Sequence, residues 1–237
     1  MVEPDRRILI IDSPGGALQQ LTMELLGRDF EVHYASDVDE AQLLAAGTDG
    51  QINVVLFTAD VELENVPHLA ARFGVPTDAL IPLGRRPPER VVKALHHHGV
   101  RWHLWDDPED ESIRFVVSSV LHDHDPFELR YNLRVPTKLA AHFEVDALKA
   151  ETSIRDIGPG AACLVGGVLG EVGDYGTLRF QVGPHEISIP TRTAWTTPDV
   201  ENSLRIGGVR FQQIDHETGL VIDGLLESVL SRHRIQS

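Results

Sequence analysis

The sequence predicts a two-domain protein, an α/β domain followed by an all-β domain. In the first half, short continuous apolar runs alternate with segments of helical spacing, which is typical of a doubly wound parallel sheet. In the second half, segments of alternating apolar and polar residues recur between glycine turns, which is typical of a small antiparallel β-barrel. A polar stretch interrupted by Pro126 separates the two. We therefore predict domains at residues 1–121 and 130–237, with a linker at 122–129.

Five strand–helix steps define the first domain. The predicted strands lie at residues 7–12, 31–35, 53–57, 79–83 and 102–105. The predicted helices lie at residues 17–26, 36–44, 64–73, 87–98 and 109–121. Ser36 is the candidate N-cap of the second helix. This alternation implies an open five-stranded parallel sheet with helices on both faces.

The barrel prediction rests on alternating segments and one helix. The alternating segments lie at residues 140–145, 177–182, 185–189 and 208–212. Residues 220–230 carry apolar side chains at helical spacing, which predicts an amphipathic helix that closes the domain.

Composition limits the classes of function. The chain is 42% hydrophobic and 24% charged, which is typical of globular proteins. No apolar run reaches the ~18 residues that span a bilayer, and the N-terminal residues lack the apolar core of a signal peptide. Cys163 is the single cysteine, so no disulfide framework exists. We therefore expect a cytoplasmic protein that is not bound to a membrane.

The net charge of −15 argues against generic nucleic-acid binding, because a phosphate backbone requires a basic face. The charge is uneven: residues 1–124 carry a balance of −11, and residues 125–237 a balance of −4. An anionic ligand is therefore expected in the second half.

The first half resembles the receiver domains of response regulators in its strand and helix order. A working receiver has acids after its first strand, an acceptor aspartate after the third, a Thr or Ser after the fourth and a lysine after the fifth. Here Asp12 is one acid where two are usual, and Thr58 occupies the acceptor position. Gly84 or its neighbour stands where the hydroxyl belongs, and residues 106–107 are acids where the lysine belongs. The resemblance thus implies a pseudo-receiver that serves as a docking or dimer surface, with Asp60 as the alternative acceptor.

Two motifs in the second half stand about twenty residues apart. Arg130 and Arg134 form the first, residues 156–161 the second, and a Gly-Gly-Val-Arg-Phe strand follows at 207–211. In this order they resemble the cyclic di-GMP site of PilZ domains, over about residues 128–230. The family's first motif, Arg-x-x-x-Arg, is intact.

The resemblance implies a role for each residue of the site. The arginines would fork onto phosphates and stack on bases, and Asp156 would accept hydrogen bonds from the guanine N1–H and N2–H groups. The family's second motif is Asp/Asn-x-Ser-x-x-Gly, so Gly158 removes a hydroxyl contact worth roughly 1 kcal/mol. Ala161 replaces the final glycine, at about 1–2 kcal/mol if that position needs a positive φ. The expected ligand contacts are Arg130, Arg134, Asp156, Gly158 and Gly160.

Other reactive side chains favour structural roles. The histidines at 96–98 and at 122–124 lack metal-site spacing, so we expect no metal and no cofactor beyond the ligand. Cys163 lies among apolar residues and is expected to be a buried thiol. Trp195 is expected to be a core or interface residue rather than a stacking platform for nucleic acid.

The leading interpretation is a non-enzymatic bacterial signalling protein. It would be a cyclic di-GMP effector that acts through protein contacts, in motility or surface behaviour as the family resemblance implies. The alternative is an adaptor whose PilZ-like domain binds no nucleotide, and a third reading is a regulator phosphorylated at Asp60 or Asp12. The receiver-like domain is the expected site of a protein partner, and homodimer formation is left open.

Overall fold

A computed structural model describes residues 7–12, 30–47, 51–58, 66–106, 108–122, 134–146, 148–166, 169–199 and 204–235. The chain divides into two compact units. One comprises Met1–His124 together with His233–Ser237, and the other comprises Asp125–Arg232.

The first unit is built around a parallel sheet. Its strands are β1 (Arg7–Ile11), β2 (Glu31–Ala35), β3 (Val54–Thr58), β4 (Leu80–Gly84) and β5 (Leu104–Trp105). Its described helices are α1 (Val38–Gly47), α2 (Val66–Phe73), α3 (Glu89–His97) and α4 (Asp110–His122), with a 3₁₀ turn at Thr77–Ala79. The five strands lie in the order β2-β1-β3-β4-β5, which is the doubly wound order of flavodoxin-like folds and confirms the predicted class. The helix predicted at 17–26 lies outside the described residues.

The central strands explain why this half was readable from its apolar runs. Every residue of β1 and β3 is buried. Parallel strands are covered by helices on both faces, so their sequence is continuously apolar rather than alternating. The strand interiors are therefore the part of this unit that the sequence pattern identifies most directly.

The start of α1 differs from the prediction. Asp37 caps the helix, because its Oδ1 accepts the Glu40 N–H at 2.8 Å. Ser36, the predicted cap, instead donates its N–H at 2.7 Å and its hydroxyl at 2.6 Å to the Glu40 carboxylate. These hydrogen bonds from Ser36 lower the pKa of Glu40. The helix start therefore resembles a capping box, except that Glu40 reaches back to Ser36, one residue before the N-cap Asp37.

The last described residues of the chain belong to the first unit. Trp102 and Arg234 form an isolated antiparallel bridge, and the His103 N–H donates to the His233 carbonyl at 2.9 Å. The Arg234 guanidinium lies 5.1 Å from the centre of the Trp102 ring, which is within range of a cation–π contact.

The second unit is a closed antiparallel barrel. Its strands are β6 (Val135–Val145), β7 (Leu148–Gly158), β8 (Ala161–Gly166), β9 (Tyr175–Val182), β10 (His185–Asp199) and β11 (Leu204–Phe211). They close in the order β10-β11-β8-β7-β6-β9, and helix α5 (His216–His233) follows. The predicted barrel with a C-terminal helix is confirmed.

Inward-facing apolar residues fill the barrel. They include Phe143, Ile154, Ile157, Leu164, Leu178, Ile189 and Val209, each at most 1% exposed. Packing is close where β9 begins: a Cβ added to Gly176 would lie 2.7 Å from both the Glu144 carbonyl oxygen and the Phe143 ring. None of the described helices is both long and apolar enough to cross a bilayer.

Candidate functional site

The carboxyl ends of the parallel strands hold the positions at which a receiver carries out its chemistry. Asp12 follows β1 and is 3% exposed, and Thr58 ends β3 and is 7% exposed. Within the described part of the chain, the Thr58 hydroxyl has no hydrogen-bond partner. Asp106, which follows β5, donates its N–H to the Gly84 carbonyl at 2.9 Å, and its carboxylate accepts the Arg86 N–H at 3.2 Å. The Thr58 hydroxyl thus stands at the position of a receiver's acceptor aspartate. The Asp106 carboxylate, which is hydrogen-bonded to the Arg86 backbone, stands at the position of its lysine.

Two predicted residues cannot be placed. Asp60 and Arg130 both lie outside the described residues. In the ranges that the structure does describe, no three His, Cys, Asp or Glu side chains gather into a group able to hold a metal ion.

The barrel brings Arg134 and Asp156 together. Arg134 immediately precedes β6, and Asp156 lies on β7 opposite Pro136. The Arg134 Nη1 donates to Asp156 Oδ1 at 3.1 Å. Their side chains are 38% and 21% exposed, so the ion pair lies at the surface and is open to a ligand. Of the charged residues expected from the family motifs, these two lie within the described residues, and they are in direct contact.

The glycine-rich segment has a different shape from the predicted polar corner. Gly158 and Ala161 pair across β7 and β8, so the turn consists of Pro159 and Gly160 alone. The Phe211 N–H donates to the Gly160 carbonyl at 2.9 Å, which fixes the turn to β11. Asp156 is therefore a strand residue, whereas the sequence had suggested a turn residue.

The expected strain at Ala161 is absent. Asp106 and Asp146 are the non-glycine residues with positive φ in the described ranges, and Ala161 is not among them. Gly160 also has no positive φ, so it supplies no unusual conformation. The predicted cost of about 1–2 kcal/mol at Ala161 is therefore wrong, because the residue lies in ordinary strand backbone.

Arg155 belongs to the site, although the family motif does not point to it. Its Nε lies 3.5 Å from Asp156 Oδ2, while Arg134 occupies the other oxygen. Its side chain is 43% exposed. Its place next to Asp156 in the sequence was a signal, but a regular strand would have put the two side chains on opposite faces.

A cross-strand row connects Asp156 to the far side of the barrel. The row consists of Asp156 on β7, Cys163 on β8, Gly208 on β11 and Trp195 on β10. Cys163 is 1% exposed, and burial, followed by the charge of Asp156, raises its pKa to about 11. The thiol stays protonated at neutral pH, so the prediction of a buried structural cysteine is confirmed.

Trp195 is not a core residue. It is 42% exposed, and its indole lies over Gly208, where an added Cβ would collide with the indole Nε1. The absence of a side chain at Gly208 lets the indole lie flat across β11. An aromatic surface therefore stands on the outside of the barrel at β10, three strands away from Asp156 on β7.

The outer face carries further positive charge. Arg192 on β10 pairs directly with Arg210 on β11, and both are exposed. The Arg192 guanidinium lies 5.7 Å from the centre of the Tyr175 ring, and Tyr175 is 67% exposed. Like charges directly opposite on a sheet repel each other and destabilise it slightly. An anion bound between Arg192 and Arg210 would relieve this repulsion.

The strand orders define the class of protein: a receiver-like domain joined to a small closed β-barrel. Residues 128–228 match the family model described as the PilZ domain. The second half of the chain is therefore a PilZ domain. No curated protein matches the chain in sequence.

Among solved structures, the chain is similar to the Bacillus subtilis inhibitor of motility MotI/DgrA, with 14% identity, a TM-score of 0.35 and coverage of 42% of this chain. The match spans about half of that protein, 48% of its length. The PilZ domain with c-di-GMP of YcgR from Escherichia coli matches with 11% identity and a TM-score of 0.34, over 42% of this chain and 89% of that one. A response regulator receiver domain protein from Clostridium thermocellum matches with 16% identity and a TM-score of 0.44, over 52% and 98%.

Proposed function

We propose that the chain is a non-enzymatic signalling protein that binds cyclic di-GMP on its PilZ domain and acts through protein contacts. The observation that carries this proposal is the surface pair of Arg134 and Asp156, 3.1 Å apart. Cyclic di-GMP carries two phosphodiester charges and two guanines. The guanidinium suits the phosphates, and the carboxylate suits the adjacent N1–H and N2–H donors of a guanine.

Binding would rearrange the pair. Arg134 would turn from Asp156 to a phosphate, and the freed Asp156 oxygen would accept from the guanine edge. Arg130 would supply the second guanidinium of the family motif, as the resemblance implies.

The substitution at Gly158 sets the expected loss of affinity. A missing hydroxyl contact costs about 1 kcal/mol, or about 5-fold in affinity. Ala161 lies in ordinary strand backbone and adds no strain. The expected loss of affinity is therefore the contribution of Gly158 alone, without the additional contribution that the sequence assigned to Ala161.

Calorimetry on the full chain tests the proposal. Cyclic di-GMP should bind, and Arg134→Ala and Asp156→Ala should each weaken it by at least about 10-fold. Arg205→Ala is the matched control, because Arg205 is 44% exposed and makes one ion pair, with Glu171 at 3.4 Å. Cyclic di-AMP shares the phosphodiester ring but lacks the guanine edge, so it should bind more weakly. An absence of heat and of any thermal shift at millimolar cyclic di-GMP would overturn the proposal.

The second candidate is an adaptor that binds no nucleotide. The observation that favours it is the contact between Arg134 and Asp156 itself, since the pair already satisfies its own charges. The two domains would then only present binding surfaces, the receiver-like unit among them. The expected roles in motility, the cytoplasmic location and the open question of a homodimer stay predictions under either candidate.

A further inference from the structure

A β-bulge places Arg155 and Asp156 on the same face of the barrel. Between β7 and β8 the register passes from Ile154 opposite Leu164 to Asp156 opposite Cys163, so Arg155 is the extra residue. Ile154 and Ile157 on either side are fully buried. A regular strand would send one of the two charged side chains inward, whereas the bulge turns both outward.

Asp156 thereby contacts two guanidiniums through different oxygens. Arg134 Nη1 lies 3.1 Å from Oδ1, and Arg155 Nε lies 3.5 Å from Oδ2. The two arginines and the aspartate together carry a formal net charge of +1. One guanidinium can therefore leave for an anion while the other still neutralises the carboxylate.

The two arginines differ in how freely they can leave. Arg134 stands outside the strand ladder, immediately before β6 begins. Arg155 lies inside β7, where its neighbours Ile154 and Asp156 each pair with both β6 and β8. Arg134 is thus the guanidinium that can swing to a phosphate, and Arg155 is the one that stays beside Asp156.

We propose that Arg155 is a positioning residue that holds the Asp156 carboxylate towards the guanine edge once Arg134 has moved to a phosphate. This inference rests on the proposed binding of cyclic di-GMP. It assigns Arg155 an effect on base recognition that passes through Asp156, and no direct contact with the ligand.

A double-mutant cycle on the full chain separates this role from a direct phosphate contact. The dissociation constant for cyclic di-GMP is measured for the wild type, Arg155→Ala, Asp156→Asn and the double variant, with titrations carried to millimolar ligand so that weak binding is measured. Arg155→Ala should weaken binding by about 5-fold in the wild-type background and by less than about 2-fold beside Asp156→Asn. Arg155→Lys should recover part of the loss, since an ammonium also pairs with the carboxylate.

Arg205→Ala should leave the affinity unchanged, and thermal unfolding checks that every variant is folded. Equal losses from Arg155→Ala in both backgrounds would overturn the inference, because Arg155 would then act independently of Asp156. An unchanged affinity in Arg155→Ala would overturn it as well, while leaving the proposed function in place. A wild-type chain that fails to bind cyclic di-GMP would instead overturn the proposed function and this inference together.

Discussion

At the carboxyl edge of the parallel sheet, the receiver positions come from four separate strands, whereas on the barrel Arg155 and Asp156 lie on β7 and Arg134 immediately precedes the neighbouring β6. At the sheet edge, Thr58 ends β3 and Asp106 follows β5, and neither contacts the other in the hydrogen bonds of the described residues. On the barrel, the charged groups are in contact with one another. Both the five-stranded sheet and the six-stranded barrel are complete. The two regions therefore differ in the arrangement of their polar side chains and not in the completeness of their folds.

The difference follows from what holds each region together. The sheet is stabilised by the apolar interiors of strands such as β1 and β3, which are buried along their whole length. On the barrel the site residues lie next to or within the hydrogen-bonded ladder.

The largest expected effect comes from packing in the barrel. Gly176→Ala should destabilise the second unit by about 1–3 kcal/mol, because the new methyl group meets backbone and the Phe143 ring at 2.7 Å. Gly160→Ala is the control, since nothing lies within 4 Å of its added Cβ and it has no positive φ. Denaturant unfolding followed by circular dichroism measures both, and equal stability of the two variants would contradict the packing argument.

The first unit should instead respond to acid through His103. Burial, with the charges of His233 and Arg86, lowers the pKa of His103 to about 4. An unfolded histidine titrates near 6.5, so the folded state binds the proton less well and acid favours unfolding.

Stability from this source is complete above about pH 6.5 and is lost as the pH falls towards 4, by about 1 kcal/mol at pH 5 once partial exposure is allowed for. His103→Gln should flatten the stability profile between pH 7 and 5, and the exposed His142→Gln in the barrel should not. A profile that keeps its slope in His103→Gln would rule out this residue as the cause.

A smaller gain should follow from restoring the family motif. Gly158→Ser adds the missing hydroxyl and should strengthen cyclic di-GMP binding by about 5-fold. Gly158→Ala adds the Cβ alone and serves as the control. If the two variants bind equally, the hydroxyl is not what the site lacks.

The smallest expected effect is no change at all. Incubation with acetyl phosphate should leave the mass of the chain unaltered, because Thr58 offers a hydroxyl where an acyl phosphate needs a carboxylate. Intact-mass spectrometry measures this. An added phosphate that disappears in Asp60→Asn would establish the alternative acceptor and contradict the loss of chemistry in the first unit.

The sequence was sufficient for the parts of the fold that depend on burial. Apolar runs such as residues 7–11 identify buried parallel strands, and the alternating segments of the second half identify the barrel. The bulge at Arg155 could not be predicted from the sequence, because the register of a strand depends on the strands that pair with it on either side. The turn at Pro159 and Gly160 and the ordinary backbone of Ala161 depend on the same register.

The motif arginine and aspartate were identified through the family resemblance, whereas the direct contact between Arg134 and Asp156 came from the structure. Of the two roles expected for Trp195, the core role is wrong, because the indole lies over Gly208, a residue distant in sequence that becomes its neighbour only after β10 and β11 pair. The environments of Arg155 and Trp195 could not be predicted because they depend on residues of neighbouring strands.

Closure of the barrel also limits how the second domain can be recognised. Each of its six strands has a neighbour on both sides, although β10 pairs with β9 only over His185–Arg192 and with β11 only over Thr191–Asp199. Where a strand is paired on both sides, an added strand finds no edge, so a partner that docks there must read side chains. The exposed Tyr175, Trp195 and Leu148 are among the apolar side chains it would meet. Substitutions at those positions would change partner choice without touching the backbone ladder.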